Sequence, residues 1–460
     1  MTAIPPQPLS PLDGRYQPVV TSLGEHLSEA GLNRARVRVE VEWLIALTNQ
    51  RMFGTVPLTA DEQLRLRALY LAFGQDEIDW LAQREAVTRH DVKAVEYLVR
   101  DRLETLGLGH IAELTHFACT SEDINSLAYA LTVKAAVTEV WLPALRGVTD
   151  TLRALALEHA DAPMLSHTHG QPATPSTMGK ELGVFVWRLR RVISQLEGQE
   201  YLGKFSGATG TWSAHLAANP QVAWPNIARD FVESLGLDFN PVTTQIESHD
   251  WQVELYDRAR HAGGILHNLA SDVWTYISMG YFTQIPVAGA TGSSTMPHKI
   301  NPIRFENAEA NLEIAGGLFQ TLSQTLVTSR MQRDLTDSTT QRNIGVAFGH
   351  SLLALDNLRR GLGEISLSQR ALDADLDANW EVLGEAIQTV VRAEVAAGHS
   401  SITDPYALLK ELTRGRRVGQ AELAEFISGL DISNEAKQRL VALTPATYTG
   451  LAAEVTRSYL

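Results

Sequence analysis

Cysteine is nearly absent from this chain of 460 residues, in which Cys119 is the only one. An intrachain disulfide is therefore impossible, which fits a reducing compartment, and we expect a cytoplasmic location. Segment 1–14 has no basic start followed by an apolar stretch, so no secretory signal is expected there. No apolar run approaches the roughly 18 residues of a membrane-spanning helix, so a membrane partner is not expected either.

Positive charge is also in short supply. The 39 Lys and Arg residues face 53 Asp and Glu residues, which leaves a formal net charge of −14. Nucleic acids and anionic membranes both require a broad cationic face, so neither is an expected partner. An anionic small molecule would need a local basic site. Hydrophobic residues make up 44% of the chain, which is sufficient for a large folded core.

Helical periodicity dominates the apolar pattern and predicts an all-α fold with a long central helical bundle. One segment, 37–45, alternates like a strand, yet its valines also fit a helix and its flanks are rich in Ala, Leu and Glu. We expect a helix there. The clearest apolar stripes, with spacings of three and four residues, are Leu182, Phe185, Leu189, Val192 and Leu196; Leu266, Leu269, Val273 and Ile277; and Leu312, Ala315, Phe319, Leu322 and Leu326.

Breaks in the helical pattern predict three helical domains. A mostly helical N-terminal domain covers 1–111, a central long-helix bundle covers 112–365, and a C-terminal helical domain covers 366–460. Within the central domain, Pro143 indicates a kink or a new helix start. Near the end of the chain, Gly415 indicates a helix stop.

The strongest local pattern is a loop of small residues that ends in GSSTMPHKINP, residues 292–302. Successive small residues allow backbone N–H groups to converge on an anion. Asn301 and Pro302 predict the N-cap and first position of a new helix, with Asn307 in an early turn. The helix dipole and Lys299 both favour a negative ligand. For any single part of this pattern, a plain connecting loop is the alternative.

Histidine occurs in two further motifs. In SHTHGQP, residues 166–172, one residue separates His167 from His169, and such a pair could bind a metal from a strand. No third ligand is evident, so we expect no metal, and a histidine with an ordinary packing role is the alternative. In RHDV, residues 89–92, adjacency alone does not make His90 and Asp91 a dyad, because neighbouring side chains often diverge.

These motifs resemble those of the fumarase and aspartase superfamily, whose members eliminate fumarate from a succinyl group. The resemblance implies that Ser293, the first serine of the pair in the loop, is the general base and that His169 is the general acid. It also implies that His90 orients the substrate or His169. A serine removes a proton from carbon only if positive charge and amide donors stabilise its alkoxide, and Lys299 and the helix start are the expected stabilisers.

Three other segments resemble the adenylosuccinate lyase family, especially its bacterial type: SPLDGRY at 10–16, TTQIE at 243–247 and RMQRDLTDS at 330–338. This resemblance covers nearly the whole chain. It implies cleavage of adenylosuccinate to AMP and fumarate, and of the succinylaminoimidazole-carboxamide ribotide (SAICAR) to its carboxamide (AICAR) and fumarate, in purine nucleotide biosynthesis. It further implies no cofactor, and a homotetramer in which three subunits build each active site.

The same resemblance implies a set of substrate-binding residues. Within this set, Thr120 and Ser121 would donate to a carboxylate, while Arg15 and Arg333 would bind a nucleotide phosphate. The full set is Arg15, Tyr16, Arg89, His90, Asp91, Thr120, Ser121, Gln245, Ser294, Lys299, Asn301, Asn307, Arg333, Ser338 and Arg342.

Other functions remain as alternatives. Argininosuccinate lyase shares the loop and histidine motifs but needs no 5′-phosphate site, so Arg15 and Arg333 discriminate against it. A structural protein recruited from a lyase is a second alternative, although Ser293 and His169 are both present. A nucleotide-binding regulator is a third. Two positions depart from the family pattern: many relatives have arginine in place of His167, and close relatives tend to have asparagine in place of Arg89.

Overall fold

The computed structural model describes residues 8–286, 296, 299–413 and 418–460. Helix is by far the most frequent state among them. The α-helices are α1 (Gln17–Leu27), α2 (Glu29–Asn49), α3 (Ala60–Leu71), α4 (Gln75–Thr88), α5 (Asp91–Thr105), α6 (Ser121–Ala135), α7 (Leu142–Glu158), α8 (Met178–Glu197), α9 (Ser213–Ala218), α10 (Trp224–Ser234), α11 (Asp250–Ser278), α12 (Ile303–Leu326), α13 (Thr336–Gln341), α14 (Ile344–Gly363), α15 (Gln369–Asp377), α16 (Gly384–Ala396), α17 (Pro405–Thr413), α18 (Gln420–Gly429), α19 (Asn434–Val441) and α20 (Ala452–Tyr459).

Short strands accompany these helices and pair two by two. They are β1 (Pro163–Thr168) with β2 (Gln171–Thr177), antiparallel; β3 (Leu202–Gly203) with β4 (Asp238–Phe239), parallel; and β5 (Phe282–Gln284) with β6 (Ile365–Leu367), antiparallel. Each pair is a local addition to a helical framework, and the all-α prediction is confirmed.

The predicted apolar stripes lie on the buried faces of long helices. Leu189 on α8 and Leu269 on α11 are fully buried, and Phe319 on α12 is 1% exposed. The ambiguous segment 37–45 is part of α2. Val37 and Val39 are both fully buried, although successive positions of this kind face different sides of a helix. The helix is therefore covered all round at this level, which explains why strand-like alternation and helical spacing coexist there.

Pro143, where we expected a kink or a new helix start, lies in the first turn of α7. A π-helical segment, Ala136–Trp141, follows α6, and α7 then begins at Leu142 with Pro143 in its first turn. Proline has no N–H to donate, so the backbone pairing changes register where it joins the helix. The predicted stop at Gly415 lies outside the described residues.

The chain forms two compact units, each assembled from three separate stretches. Unit 1 comprises Met1–Arg146, Val192–Gly264 and Ala310–Asp356, and unit 2 comprises Gly147–Arg191, Ile265–Glu309 and Asn357–Leu460. Within unit 2, the residues after Trp380 build an apolar core of their own around Ile387, Val391, Ile427 and Leu440. The three domains expected from the sequence follow chain order, and they stay a prediction.

None of the helices in the described ranges is both long enough and apolar enough to cross a membrane.

Candidate active site

The predicted site residues are divided between the two units. Unit 1 holds most of the substrate-binding candidates, whereas unit 2 holds His169, Lys299, Asn301 and Asn307. Ser293 and Ser294 lie outside the described residues.

In unit 2, His169 stands at the tip of the β1–β2 hairpin. Thr168 pairs with Gln171, so His169 and Gly170 form a two-residue turn. Their φ angles are 55° and 71°, a combination typical of a type I′ turn. Glycine adopts this backbone freely, whereas histidine does so at some cost. The result is an imidazole exposed to solvent. The hairpin was not predicted from the sequence, and the turn chemistry of His169-Gly170 is the signal that would have indicated it.

His167, the second histidine of this motif, lies next to a carboxylate. Its Nε2 is 3.8 Å from Oδ2 of Asp375, which also accepts a hydrogen bond from Tyr281. This chain therefore places the imidazole of an imidazole–carboxylate pair on β1, two residues before His169. Across the described residues, no group of three or more His, Cys, Asp and Glu side chains is arranged to hold a metal ion.

Helix α12 begins one residue later than we expected. The Glu306 N–H donates to the Pro302 carbonyl at 3.3 Å, which puts Pro302 in the cap position and Asn301 before it. The prediction that Asn301 caps the helix was wrong by one position. Asn301 thus lies in the loop, where its carbonyl accepts the Ile303 N–H at 2.8 Å.

Two other candidates lie near this helix start. Lys299 is exposed, and its backbone N–H donates to the Met296 carbonyl at 3.0 Å. Asn307, one turn into α12, accepts a hydrogen bond from Asn357 of α14 at 2.9 Å.

In unit 1, His90 caps helix α5. Its Nδ1 accepts the Lys93 N–H at 3.3 Å, so the neutral ring carries its proton on Nε2. The side chain is 52% exposed, and Nδ1 is 3.7 Å from the Asp91 carboxylate. Asp91 instead makes its short contact, 2.8 Å, with Arg36. His90 and Asp91 thus serve different partners.

Asp91 also contacts Arg342, and Arg342 in turn contacts Ser338, so three of the predicted substrate-binding residues are connected. Arg342 donates through Nη2 to Oδ2 of Asp91 at 3.5 Å and through Nη1 to Oγ of Ser338 at 3.0 Å. Burial alone would raise the pKa of Asp91, but the charges of Arg36 and Arg342 lower it overall. Asp91 is therefore a stable anion that orients two arginines.

Thr120 and Ser121 lie at the N-terminal end of α6. A helix start offers unpaired N–H groups and a positive dipole end, both suited to a carboxylate. Directly after them, the buried Glu122 forms an ion pair with Arg333, whose Nη1 lies 2.5 Å from Oε1 of Glu122. The expected carboxylate-binding turn and one expected phosphate-binding arginine are therefore neighbours.

Asp123, the next residue of α6, is fully buried and heavily hydrogen-bonded. It accepts the Thr120 N–H at 2.8 Å, the Lys204 ammonium at 2.7 Å and the backbone N–H groups of Ser206 and Gly207 at 2.8 Å and 3.1 Å. Lys204 is also fully buried. A buried ion pair thus fastens loop 204–207 to the first turn of α6.

Arg333 has a second carboxylate neighbour, Asp337 of α13, at 3.9 Å. Burial alone would raise the pKa of Asp337, but a hydrogen bond from His249 and the Arg333 charge lower it overall. The buried His249 has a φ of 62° and also contacts Gln341 at 3.2 Å. Gln245 is partly buried in the segment that precedes it.

The N-terminal motif lies beside Arg342. A cavity of about 210 Å³ is lined by Ser10, Asp13 and Arg342, among others. Two residues further on, the exposed Arg15 places its guanidinium 5.9 Å from the centre of the Tyr16 ring. Arg89, by contrast, is exposed at the end of α4 with a φ of 52°.

Arg36, Lys204 and His249 were not predicted from the sequence. The contacts of Arg36 reach 55 and 89 residues along the chain, and that of Lys204 reaches 81. Residue spacing within a short stretch of sequence cannot predict contacts between residues so far apart in the chain. The one available signal for Arg36 was a charge directly before the valine-rich stretch that begins at Val37. Cys119 is partly buried, and burial raises the pKa of its thiol.

Comparison with known proteins covers nearly the whole chain. A family model described as "Lyase" matches residues 25–316, and one described as "Adenylosuccinate lyase C-terminal" matches residues 329–449. Proteins named adenylosuccinate lyase from Haemophilus influenzae and Escherichia coli are each 46% identical, over 97% and 96% of both chains respectively. The chain belongs to the adenylosuccinate lyase family. A relative of the same name from Dictyostelium discoideum is 42% identical over 96% of both chains.

Solved structures support the fold. A fumarate lyase from Mesorhizobium sp. has a TM-score of 0.76 at 19% identity, over 95% of this chain and 97% of that one. A 3-carboxy-cis,cis-muconate lactonizing enzyme from Pseudomonas putida has a TM-score of 0.74 at 21% identity, over 95% and 96%. The expected fumarase/aspartase-like fold and lyase family are thus confirmed, whereas the roles of individual residues stay predictions.

The buried Lys204–Asp123 pair yields a stability prediction. Lys204→Met should lower the free energy of unfolding by about 3–5 kcal/mol, because it leaves the Asp123 carboxylate buried without its countercharge. Urea unfolding at fixed protein concentration measures this. Lys180→Met is the matched control, because Lys180 is 39% exposed beside Glu181 and should change stability by less than about 1 kcal/mol. Equal effects of the two substitutions would show that the buried pair has no special role.

Proposed function

We propose that this protein cleaves adenylosuccinate to AMP and fumarate, and SAICAR to AICAR and fumarate. The observation that carries the proposal is the basic cluster of Arg333, Ser338 and Arg342 around α13, in a chain similar along its whole length to adenylosuccinate lyases. Two guanidinium groups and a hydroxyl exceed what a small dicarboxylate needs, and they suit a ribose 5′-phosphate.

The reaction is a β-elimination from the succinyl group. Ser293, as general base, removes a proton from the carbon beta to the nitrogen. The C–H electron pair becomes the new double bond of fumarate, and the C–N bond breaks. His169, as general acid, gives its proton to the departing nitrogen, a transfer suited to imidazole near neutral pH.

The negative charge that grows during proton removal requires nearby donors. Lys299 and the start of α12 would stabilise both the Ser293 alkoxide and the substrate carboxylate. The N-terminal turn of α6, with Thr120 and Ser121, would hold a carboxylate in the same way. His90 would donate a hydrogen bond to the substrate from Nε2. The proton of the neutral ring lies on that nitrogen because Nδ1 accepts the Lys93 N–H. No cofactor takes part, because proton removal and proton donation complete the chemistry.

The phosphate end of the substrate would be held in unit 1. Arg333 pairs with Glu122 and lies 3.9 Å from Asp337, and Arg342 contacts Asp91 and lies 3.9 Å from Glu29. Each guanidinium has five N–H donors, so the donors that these partners do not use are left for a phosphate. Arg15, two residues after Asp13 of the cavity lining, would supply a third cation. In a chain with a net charge of −14, these arginines would be the local cations that an anionic substrate requires.

The assignment of acid and base predicts the following. The purified protein should release fumarate from both succinyl nucleotides and not from argininosuccinate. Ser293→Ala and His169→Ala should each lower kcat by about 10²–10⁴, because each removes one proton-transfer group. Fumarate release measures both. His167→Ala, in the same hairpin, is the control and should keep far more activity. If His169→Ala kept more than about a tenth of wild-type activity, the acid assignment would be wrong.

The phosphate assignment predicts a selective loss. Arg333→Ala should weaken AMP binding by about 1.5–3 kcal/mol, the size of a hydrogen bond to a charged group, and should change fumarate binding little. Calorimetry with each ligand separates the two. Arg330→Ala is a matched control, because Arg330 is 83% exposed three residues away. Equal weakening of AMP and fumarate in Arg333→Ala would remove the phosphate assignment.

We also propose that the protein is a cytoplasmic homotetramer with a shared helical core. The glycines Gly264 on α11 and Gly316 and Gly317 on α12 support this. A side-chain carbon added at any of them would meet no atom of the described residues within 4 Å. Glycine inside a helix costs roughly 0.5–1 kcal/mol relative to alanine, so close approach of another subunit offers a reason for its use. Ile314, nearby on α12, is 49% exposed.

In such a tetramer, His90, His169 and Ser293 would come from three different subunits. Mixing inactive His169→Ala with inactive Ser293→Ala under conditions of subunit exchange should therefore restore activity, because some hybrid sites would contain both intact residues. Fumarate release gives the readout, and native mass spectrometry confirms that hybrids form. Hybrids without activity would place both residues on one chain.

A further inference from the structure

We propose that the buried Arg36 is a positioning residue that holds both arginines of the proposed phosphate site. The inference rests on the proposed function, since it concerns how the same phosphate is bound. Arg36 lies on α2 and is 2% exposed, so it is not itself available to a substrate. Two separate chains of side-chain contacts, or relays, connect its guanidinium to Arg342 and to Arg333.

The first relay leads to Arg342. Arg36 donates through Nη2 to Oδ2 of Asp91 at 2.8 Å, and Arg342 donates to the same oxygen at 3.5 Å. One carboxylate oxygen therefore joins a buried guanidinium to a half-exposed one. Asp91 is the first residue of α5, and the buried Arg36 holds its carboxylate in place. The carboxylate oxygen is therefore a hydrogen-bond acceptor in a constant position for Arg342.

The second relay leads to Arg333. Arg36 donates through Nε to Oδ1 of Asn125 at 2.9 Å, and Asn125 donates to Oε1 of Glu122 at 2.8 Å. Arg333 contacts that same oxygen at 2.5 Å. Asn125 and Glu122 both belong to the first turns of α6, so this relay also passes beside the Thr120–Ser121 turn.

Only arginine can serve both relays at once. Its planar fork points different N–H groups in fixed directions, and a third, on Nη1, donates to Asn33 at 2.8 Å. A lysine ammonium would keep the charge but is a single point on a flexible stem, so it cannot reach Asp91 and Asn125 together. Burial makes the arrangement rigid, because a buried charge that leaves its partners loses far more than an exposed one.

Arg36 therefore acts through other residues. It fixes the two carboxylates, these orient the partly buried Arg333 and the exposed Arg342, and the phosphate meets a site formed in advance. Preorganised donors avoid the entropy of ordering long side chains during binding. An effect on phosphate recognition, separate from any effect on folding, is thus the signature of this role.

The test compares AMP with adenosine, which lacks the phosphate, by calorimetry on the full-length protein. Arg36→Lys should lower the affinity ratio of AMP over adenosine by tenfold or more. Asn125→Leu, which cuts only the relay to Arg333, should lower it by threefold or more. Arg34→Lys is the matched control on the same helix, since Arg34 donates to the Glu25 carbonyl at 2.6 Å, and its ratio should stay within twofold of wild type.

The outcomes separate the two claims. If wild type binds adenosine as tightly as AMP, the proposed phosphate site fails, and this inference fails with it. If wild type prefers AMP and a folded Arg36→Lys variant keeps that preference, the phosphate site stands and the positioning role is overturned. If Arg36→Lys does not fold, Asn125→Leu decides, because an unchanged ratio in that variant overturns the relay to Arg333.

Discussion

The fully buried pair of Asp123 and Lys204 is the interaction on which the site in unit 1 depends. Asp123 caps the first turn of α6 and also binds the backbone of loop 204–207, so one carboxylate fixes a helix start and a loop together. A buried carboxylate is tolerated only when its lone pairs are satisfied and its charge is matched, and both conditions hold here. Thr120, Ser121 and Glu122 take their positions from this anchor.

The charges around α6 and α13 show how an acidic chain can present a basic site. Arg333 and Arg342 are each paired with a carboxylate that is itself tied to the interior, so acidic residues orient the arginines without occupying all their donors. Exposed arginines with no such partners would lose more conformational entropy on binding. Acidic residues near a proposed anion site thus contribute to it, which a count of charges along the sequence does not indicate.

Sequence reasoning succeeded where the signal is local and periodic. The stripes through Leu189 and Phe319, the helix containing Val37 and the helix start at Pro143 all follow from spacing or from missing donors. The helix cap predicted at Asn301 was wrong by one position, because local sequence signals place a helix boundary only to within a residue or two. The hairpin that carries His169 was missed, since its strands are short and polar. Arg36 and Lys204 were missed because their partners are distant in sequence and become neighbours only through packing.

The central claim is that unit 1 holds the substrate phosphate with arginines set in place by buried carboxylate contacts. A crystal structure of the wild-type protein with AMP and fumarate bound tests it most directly. The account predicts phosphate oxygens within hydrogen-bonding distance of both Arg333 and Arg342, with the Glu122 and Asp91 contacts retained. A phosphate bound elsewhere, or bound only after these arginines have left their carboxylates, would contradict it.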